Sequence, residues 1–187
     1  MIRTVQFAAI TLLAFANPAS PEDRILFTFD SSESAKPWRI VNDGVMGGRS
    51  VGKFRINQYK NMEFSGFLSL ENNGGFASMR ARTAQLGLKK GDSIVIRVRG
   101  DGRKYNFNLY SQSNLGGYSY RQSFQTKQGE WVDAKLDLDK FVATWRGRVF
   151  PNQRLDPTQV AGMGILLGDK KAGPFKLELE SIKVTTR

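Results

Sequence analysis

The 187-residue chain contains no cysteine and no histidine. Without histidine there is no imidazole base, no Ser-His-Asp triad and no imidazole metal ligand. Without cysteine there is no thiol nucleophile, no thiolate zinc site and no disulfide. The fold must therefore stand on its apolar core, and this length is enough for one substantial core. Acidic residues are also few, 17 against 28 lysines and arginines, giving a net charge of +11. Asp43, Glu71, Asp101, Asp133, Asp137, Asp139 and Asp169 fall in or near loops, and no two are marked as a facing pair across a cleft. No basic run is longer than two residues. The positive charge is spread along the chain and not gathered into a nucleic-acid motif, so no nucleic-acid partner is expected. It reads either as a solvated sheet face or as a surface that attracts anionic partners.

Long apolar runs are absent except at the start. Arg3 precedes a mostly apolar stretch from Val5 to Phe15, Ala14-Phe15-Ala16 has the small-x-small form of a cleavage site, and Pro18 and Pro21 follow. The run is too short for an ordinary membrane span. Residues 1–20 are therefore expected to be a signal peptide, cut after Ala16 or within a few residues. That predicts a periplasmic or secreted protein whose mature part has no transmembrane helix. Residues 21–187 are expected to form a single domain.

From about residue 24 the apolar pattern has period two. Ile25, Phe27 and Phe29 alternate with Leu26 and Thr28; Ile94, Ile96 and Val98 with Val95, Arg97 and Arg99; Tyr105, Phe107 and Leu109 with Asn106, Asn108 and Tyr110; Phe175, Leu177 and Leu179 with Lys176, Glu178 and Glu180. Such alternation means strands with one buried and one wet face. Further strands are expected at Val51–Ile56, Met62–Leu70, Gly75–Arg82, Tyr118–Phe124, Trp131–Leu138 and Gly162–Leu167. Asp101-Gly102 and Asn73-Gly74, each between apolar runs, read as hairpin turns. Ser181-Ile182-Lys183-Val184 is out of phase with Phe175-Leu177-Leu179, which predicts a bulge near Glu180 or Ser181 in a central strand. Helix is confined to short pieces: Asp156 caps a turn beginning with Pro157, and Asp137–Phe141 forms another. About ten short strands with glycine-bearing turns predict an all-β sandwich or barrel.

Gly162-Met163-Gly164-Ile165-Leu166-Leu167-Gly168 is no dinucleotide fingerprint. Its spacing is wrong and it runs through a strand, so its small residues are expected to permit close sheet packing. The densest loop, Asn42-Asp43-Gly44-Val45-Met46-Gly47-Gly48-Arg49-Ser50, and a second at Asn72-Asn73-Gly74-Gly75-Phe76 are expected to meet in one region of the sandwich. Two readings of them stand side by side: a partner-binding region, or a demanding turn in which Asn42 and Asp43 bond neighbouring backbone N–H groups. Trp38, Phe107 and Trp131 are expected in the core. Asn108, Tyr110, Tyr120 and Arg121 are expected on a wet face. The binding candidates are Asn42, Asp43, Arg49, Asn72, Asn73, Arg80, Arg103, Asn108, Tyr110, Tyr120 and Arg121. No catalytic residue, metal ligand or cofactor site is expected.

The segments "NDGVMGGRS", "FSGFLSLENNGGFASMR", "VRGDGRKYNF", Gly129-Glu130-Trp131, "FVATWRGR" and "GPFKLELESI" occur in an order that resembles the complex I intermediate-associated protein 30 family, from about Phe27 to Val184. The resemblance implies a galactose-binding-like jelly roll of two antiparallel sheets, an architecture also used by carbohydrate-binding modules. It also implies a non-catalytic, chaperone-like module that holds a protein partner such as a membrane-complex assembly intermediate. A periplasmic carbohydrate-binding module is the alternative.

Overall fold

In the computed structural model, which describes residues 23–112 and 117–186, the period-two segments form antiparallel strands. The expected signal peptide lies outside the described residues. In chain order the strands are β1 (Asp23–Thr28), β2 (Trp38–Asn42), β3 (Val51–Ile56), β4 (Met62–Leu68), β5 (Ala77–Arg82), β6 (Ser93–Arg99), β7 (Lys104–Ser111), β8 (Ser119–Gln125), β9 (Trp131–Asp137), β10 (Val142–Trp145), β11 (Arg148–Phe150), β12 (Val160–Leu167) and β13 (Gly173–Thr185). Helix among the described residues is limited to 3-10 turns of three or four residues. One of them is the turn after Asp156, whose carboxylate accepts the Thr158 N–H at 3.0 Å.

Six strands form one sheet in the order β3-β4-β13-β6-β9, with β1 also paired to β13. Seven form the other, in the order β11-β10-β8-β7-β12-β5-β2. The inward residues of both sheets interdigitate in one core, as in a sandwich. Phe64 and Phe175 meet there with ring centroids 4.9 Å apart, and Phe29 packs on Trp38 at 5.9 Å. Each such fully buried large side chain stabilises the fold by roughly 1.5–3 kcal/mol.

β13 is central, as its unbroken inward residues require. Its register against β6 shifts between Leu179 and Ser181. The extra residue turns Ile182 and Val184 back to the core after Leu177 and Leu179. A second shift, between Ile25 and Phe27 in β1, was not foreseen. It reverses the phase, so Ile25 faces solvent while Leu26 and Phe27 pack on the core.

Neither expected hairpin forms. β4 and β5 lie in different sheets, and so do β6 and β7. The local signal marks a sharp reversal with φ > 0, and the chain uses that reversal to step between layers instead of returning alongside itself. Asn72 and Asn73 are both left-handed (φ 53° and 57°). Asp101 ties its corner across the sandwich: it accepts the Arg103 N–H (3.1 Å), the buried Tyr105 hydroxyl (3.1 Å) and the Lys176 N–H of β13 (2.9 Å). Among the hairpins that do form, β10–β11 turns at Arg146-Gly147, both left-handed (φ 47° and 80°). An arginine in that conformation gives no turn signal in sequence.

Trp131 is half-buried and not in the core. It begins β9 at a sheet edge, with the guanidinium carbons of Arg99 and Arg97 at 5.0 and 5.7 Å from its ring centre. The glycines of β12 do serve close packing. A Cβ on Gly164 would stand 2.6 Å from the Met79 carbonyl oxygen, and one on Gly162 would stand 3.0 Å from that of Ala81.

Candidate functional site

The two glycine-rich loops meet at one end of the sandwich, and Asp43 joins them. Its side chain is fully buried. One carboxylate oxygen accepts the Ser50 N–H at 2.9 Å. The other accepts the Ser50 hydroxyl at 2.5 Å, the Gly75 N–H at 2.7 Å and the Phe76 N–H at 3.3 Å. Burial pushes the Asp43 pKa up, but these donors together hold it below the ordinary carboxylate value. Around this hub, Arg49 pairs with Glu71 at 2.7 Å, and the Asn72 amide donates to the Gly47 carbonyl at 3.3 Å. Asn42 Oδ1 is buried without a hydrogen-bond partner, and Asn73 supplies a left-handed turn residue. Asp43 thus has no surface to offer a partner directly; it holds the two loops together.

Arg103 is likewise built into the structure. Its guanidinium makes a fork on Asp169 (2.6 and 3.0 Å) and also donates to the carbonyls of Lys171 and Pro174. The bonds to Asp169 raise the Arg103 pKa, against burial. This clamp closes the β12–β13 loop beside Gly75, where Lys170 Nζ lies 3.7 Å from the position a Gly75 Cβ would take.

A second group of candidates stands on the outward face of the seven-stranded sheet. Register places Arg39, Arg80, Gly164, Asn108 and Arg121 in one row across β2, β5, β12, β7 and β8. The next row holds Arg82, Gly162 and Tyr110. Arg121 Nε donates to Asn108 Oδ1 at 3.1 Å, and the Arg80 guanidinium carbon lies 5.4 Å from the Tyr110 ring centre. Burial raises the Tyr110 pKa, opposed by Arg80. Burial lowers that of Arg121, with the neighbouring Arg80 charge acting in the same direction. A cavity of about 530 Å³ opens here, lined by Arg39, Arg80, Arg82, Thr83, Tyr110, Tyr118 and Gly162 among others. Tyr120 does not share this face. It is paired with Leu109 and Ala143, both inward residues, and is only 7% exposed, so the expected wet-face position is corrected to the core. Sequence reasoning missed Arg39 and Arg82. Their signal was present: Arg39 follows the inward Trp38, and Arg82 repeats Arg80 at period two.

The outward face of the six-stranded sheet is different in kind. Glu63 and Glu178 are buried there between Arg55, Arg99 and Lys176, with N–O distances of 2.9 to 3.3 Å. The buried glutamates on that face are thus paired with cations. Among the described residues, no group of three histidine, cysteine or acidic residues could hold a metal ion, and no helix is long and apolar enough to cross a membrane.

The family model of complex I intermediate-associated protein 30 matches residues 27–179. The chain belongs to this family. It is 29% identical over 184 residues to the probable complex I intermediate-associated protein 30, mitochondrial, of Caenorhabditis briggsae, and 28% identical over 187 residues to the Mus musculus protein of the corresponding name. Each match covers 87% of this chain and 54% and 56% of those proteins, so the chain spans about half the length of these relatives. The Drosophila melanogaster relative is 26% identical, covering 95% of this chain and 67% of that protein. These relatives are named as mitochondrial, which overturns the expectation of a periplasmic or secreted protein drawn from residues 1–20. In fold, the chain is similar to the family 11 carbohydrate-binding module of Clostridium thermocellum in complex with a β-1,3-1,4-mixed-linked tetrasaccharide. The TM-score is 0.66 at 16% identity, over 90% of this chain and 98% of that one. A family 30 carbohydrate-binding module gives 0.56 at 13% identity, over 89% and 99%. The sandwich expected from the alternation, and the jelly roll that the family resemblance implied, are thereby shared with these modules.

Proposed function

We propose that this member of the complex I intermediate-associated protein 30 family is a non-catalytic module that works by holding a protein partner, in the manner its relatives' name suggests for assembly intermediates of a respiratory complex. The observation that carries the reading is the outward face of the seven-stranded sheet, a cavity-bearing surface whose arginines Arg39, Arg80, Arg82 and Arg121 make no ion pair among the described residues, while Arg55, Arg97, Arg99 and Lys176 of the opposite face do. The other buried charged groups support binding over catalysis. Asp43 is committed to four hydrogen bonds, Glu63 and Glu178 to ion pairs, and Asp169 to Arg103. None is left poised as an acid or base facing open space.

The test is affinity purification of the tagged protein from the cells that make it, with mass spectrometry of what accompanies it. Enrichment of subunits of a membrane respiratory complex over a tag-only control is expected. Recovery of the bait alone, under conditions that preserve such complexes, would overturn the reading. A second reading, carbohydrate binding, draws on the cavity beside Tyr110 and Tyr118 together with the fold shared with carbohydrate-binding modules. Calorimetric titration with mixed-linkage gluco-oligosaccharides tests it, and heat of binding that disappears in Tyr110→Ala would favour it over a protein partner.

A further inference from the structure

We infer that the outward face of the seven-stranded sheet is a carboxylate-binding groove for an extended acidic peptide segment of the partner, with Arg39, Arg80, Arg82 and Arg121 as its anion ligands. The inference rests on the protein-binding reading above and names the chemistry of that contact.

Four observations carry it. First, Arg39 and Arg80 are directly opposite one another on adjacent strands. Like charges in that position destabilise a sheet pair, and an anion placed between them removes the repulsion. Second, among the described residues none of the four arginines makes an ion pair, although arginines and lysines of the opposite face do. Third, Gly162 and Gly164 put no side chain of their own above β12, so the Arg80 side chain crosses that strand to lie over Tyr110, and the cavity opens among Arg39, Arg80, Arg82 and Tyr110. Fourth, the guanidinium heads converge. Arg80 lies over the Tyr110 ring at 5.4 Å and Arg121 bonds Asn108 Oδ1 at 3.1 Å, both side chains of β7, so neighbouring carboxylates of one segment reach both. Guanidinium forks match carboxylates bidentately, so two such contacts fix register as well as charge.

Tyr110 presents no open aromatic plate for stacking by a neutral sugar or a nucleobase, which favours the protein partner over the carbohydrate reading. The Tyr110 ring is largely buried and carries the Arg80 guanidinium 5.4 Å from its centre. Base stacking on such a covered ring is unavailable.

The experiment is fluorescence anisotropy of labelled octaglutamate with the whole protein at low salt, with octaglutamine, hexagalacturonate and oligouridylate as comparison ligands. The charge-removing variant is Arg39→Gln/Arg80→Gln. Its control, Lys53→Gln/Lys135→Gln, removes the same charge from exposed positions of the other sheet. Both variants are first required to melt no lower than the wild type, and relief of the Arg39–Arg80 repulsion is expected to leave the groove variant at or above it. A third variant, Arg80→Lys, keeps charge but loses the fork and serves if the double substitution does not fold. Octaglutamate is expected to bind the wild type and to lose about tenfold or more in affinity in the groove variant, with less than about twofold change in the control; Arg80→Lys is expected to lose about threefold or more. No binding of octaglutamate, or equal loss in both double variants, overturns the proposal. Binding of hexagalacturonate or oligouridylate as tight as that of octaglutamate overturns the assignment to peptide. Affinity purification with the same variants separates this proposal from the reading beneath it. Partners retained equally by wild type and groove variant sink the groove alone, whereas no partner with either sinks the protein-binding reading.

Discussion

Replacing Asp43 by alanine removes the group that joins the two glycine-rich loops, and the structure sets the size of the effect. Three backbone N–H groups, those of Ser50, Gly75 and Phe76, lose their acceptor, while the Ser50 hydroxyl retains the Ser69 carbonyl at 3.1 Å. A buried donor left unpaired costs about 1–3 kcal/mol. Water entering the vacated space at this end of the sandwich recovers part of that, so a net loss of about 3–4 kcal/mol is expected. For a chain of this size, 1 kcal/mol moves the melting temperature by about 2–4 °C, which predicts a fall of about 10 °C in a thermal melt followed by circular dichroism. Asp43→Asn keeps the shape and part of the acceptor capacity and should fall less. The pH dependence has a definite sign. The folded pKa of Asp43 lies below its ordinary value, so the stabilisation is fully present above the unfolded carboxylate value near 3.9 and is lost as pH falls through the lower, folded value. Wild type should therefore lose stability below about pH 4 more steeply than Asp43→Asn. A melting temperature for Asp43→Ala within 2 °C of wild type, or parallel acid limbs for wild type and Asp43→Asn, would refute the hub.

Three further outcomes follow from other contacts. Arg103→Lys keeps the charge but loses the fork on Asp169 and the bonds to the carbonyls of the β12–β13 loop, and should cost about 2–3 kcal/mol in urea unfolding; a midpoint equal to wild type would contradict the clamp. Gly164→Ala drives a Cβ into the Met79 carbonyl, 2.6 Å away, and should destabilise by about 1–3 kcal/mol, read as faster amide exchange along β5 and β12. Glu178→Gln removes the buried carboxylate that pairs with Arg99 and Lys176, while Lys176 keeps Glu63, and should lower stability by about 1 kcal/mol, measured by denaturant unfolding.

The strands were legible because each presents one face to the core. Ile94, Ile96 and Val98 on β6, or Leu177 and Leu179 on β13, announce period two without ambiguity, and the shift in phase at Ser181 exposed the bulge. The pairing of strands was not legible. Asp101-Gly102 and Asn73-Gly74 mark reversals, but a reversal within a sheet and a step between sheets demand the same backbone, and the choice depends on long-range partners such as the Lys176 N–H that Asp101 accepts. The β10–β11 hairpin escaped because its turn is made by Arg146 and Gly147 without an Asn or Asp.

For the candidate site, residue type pointed in the right direction, but geometry decided the role. A polar residue among glycines can face outward to a partner or inward to backbone donors, and only burial separates the two; Asp43 turned inward. Tyr120 and Arg121 are sequence neighbours with opposite fates, since a shift of one position reverses every side chain of a strand. The arginine row is a property of register alone. Arg39, Arg80 and Arg121 are separated by 41 residues each in sequence, and no local pattern links them, yet β2–β5, β5–β12, β12–β7 and β7–β8 pairing sets them in one line. The dispersed basic composition therefore had two structural outcomes that the sequence could not distinguish. On the six-stranded sheet Arg55, Arg99 and Lys176 are matched to buried glutamates and serve the fold. On the seven-stranded sheet Arg39, Arg80 and Arg82 line a cavity with no acidic residue in its wall. Charge that the fold does not need at a place where it costs stability is the feature a partner would explain.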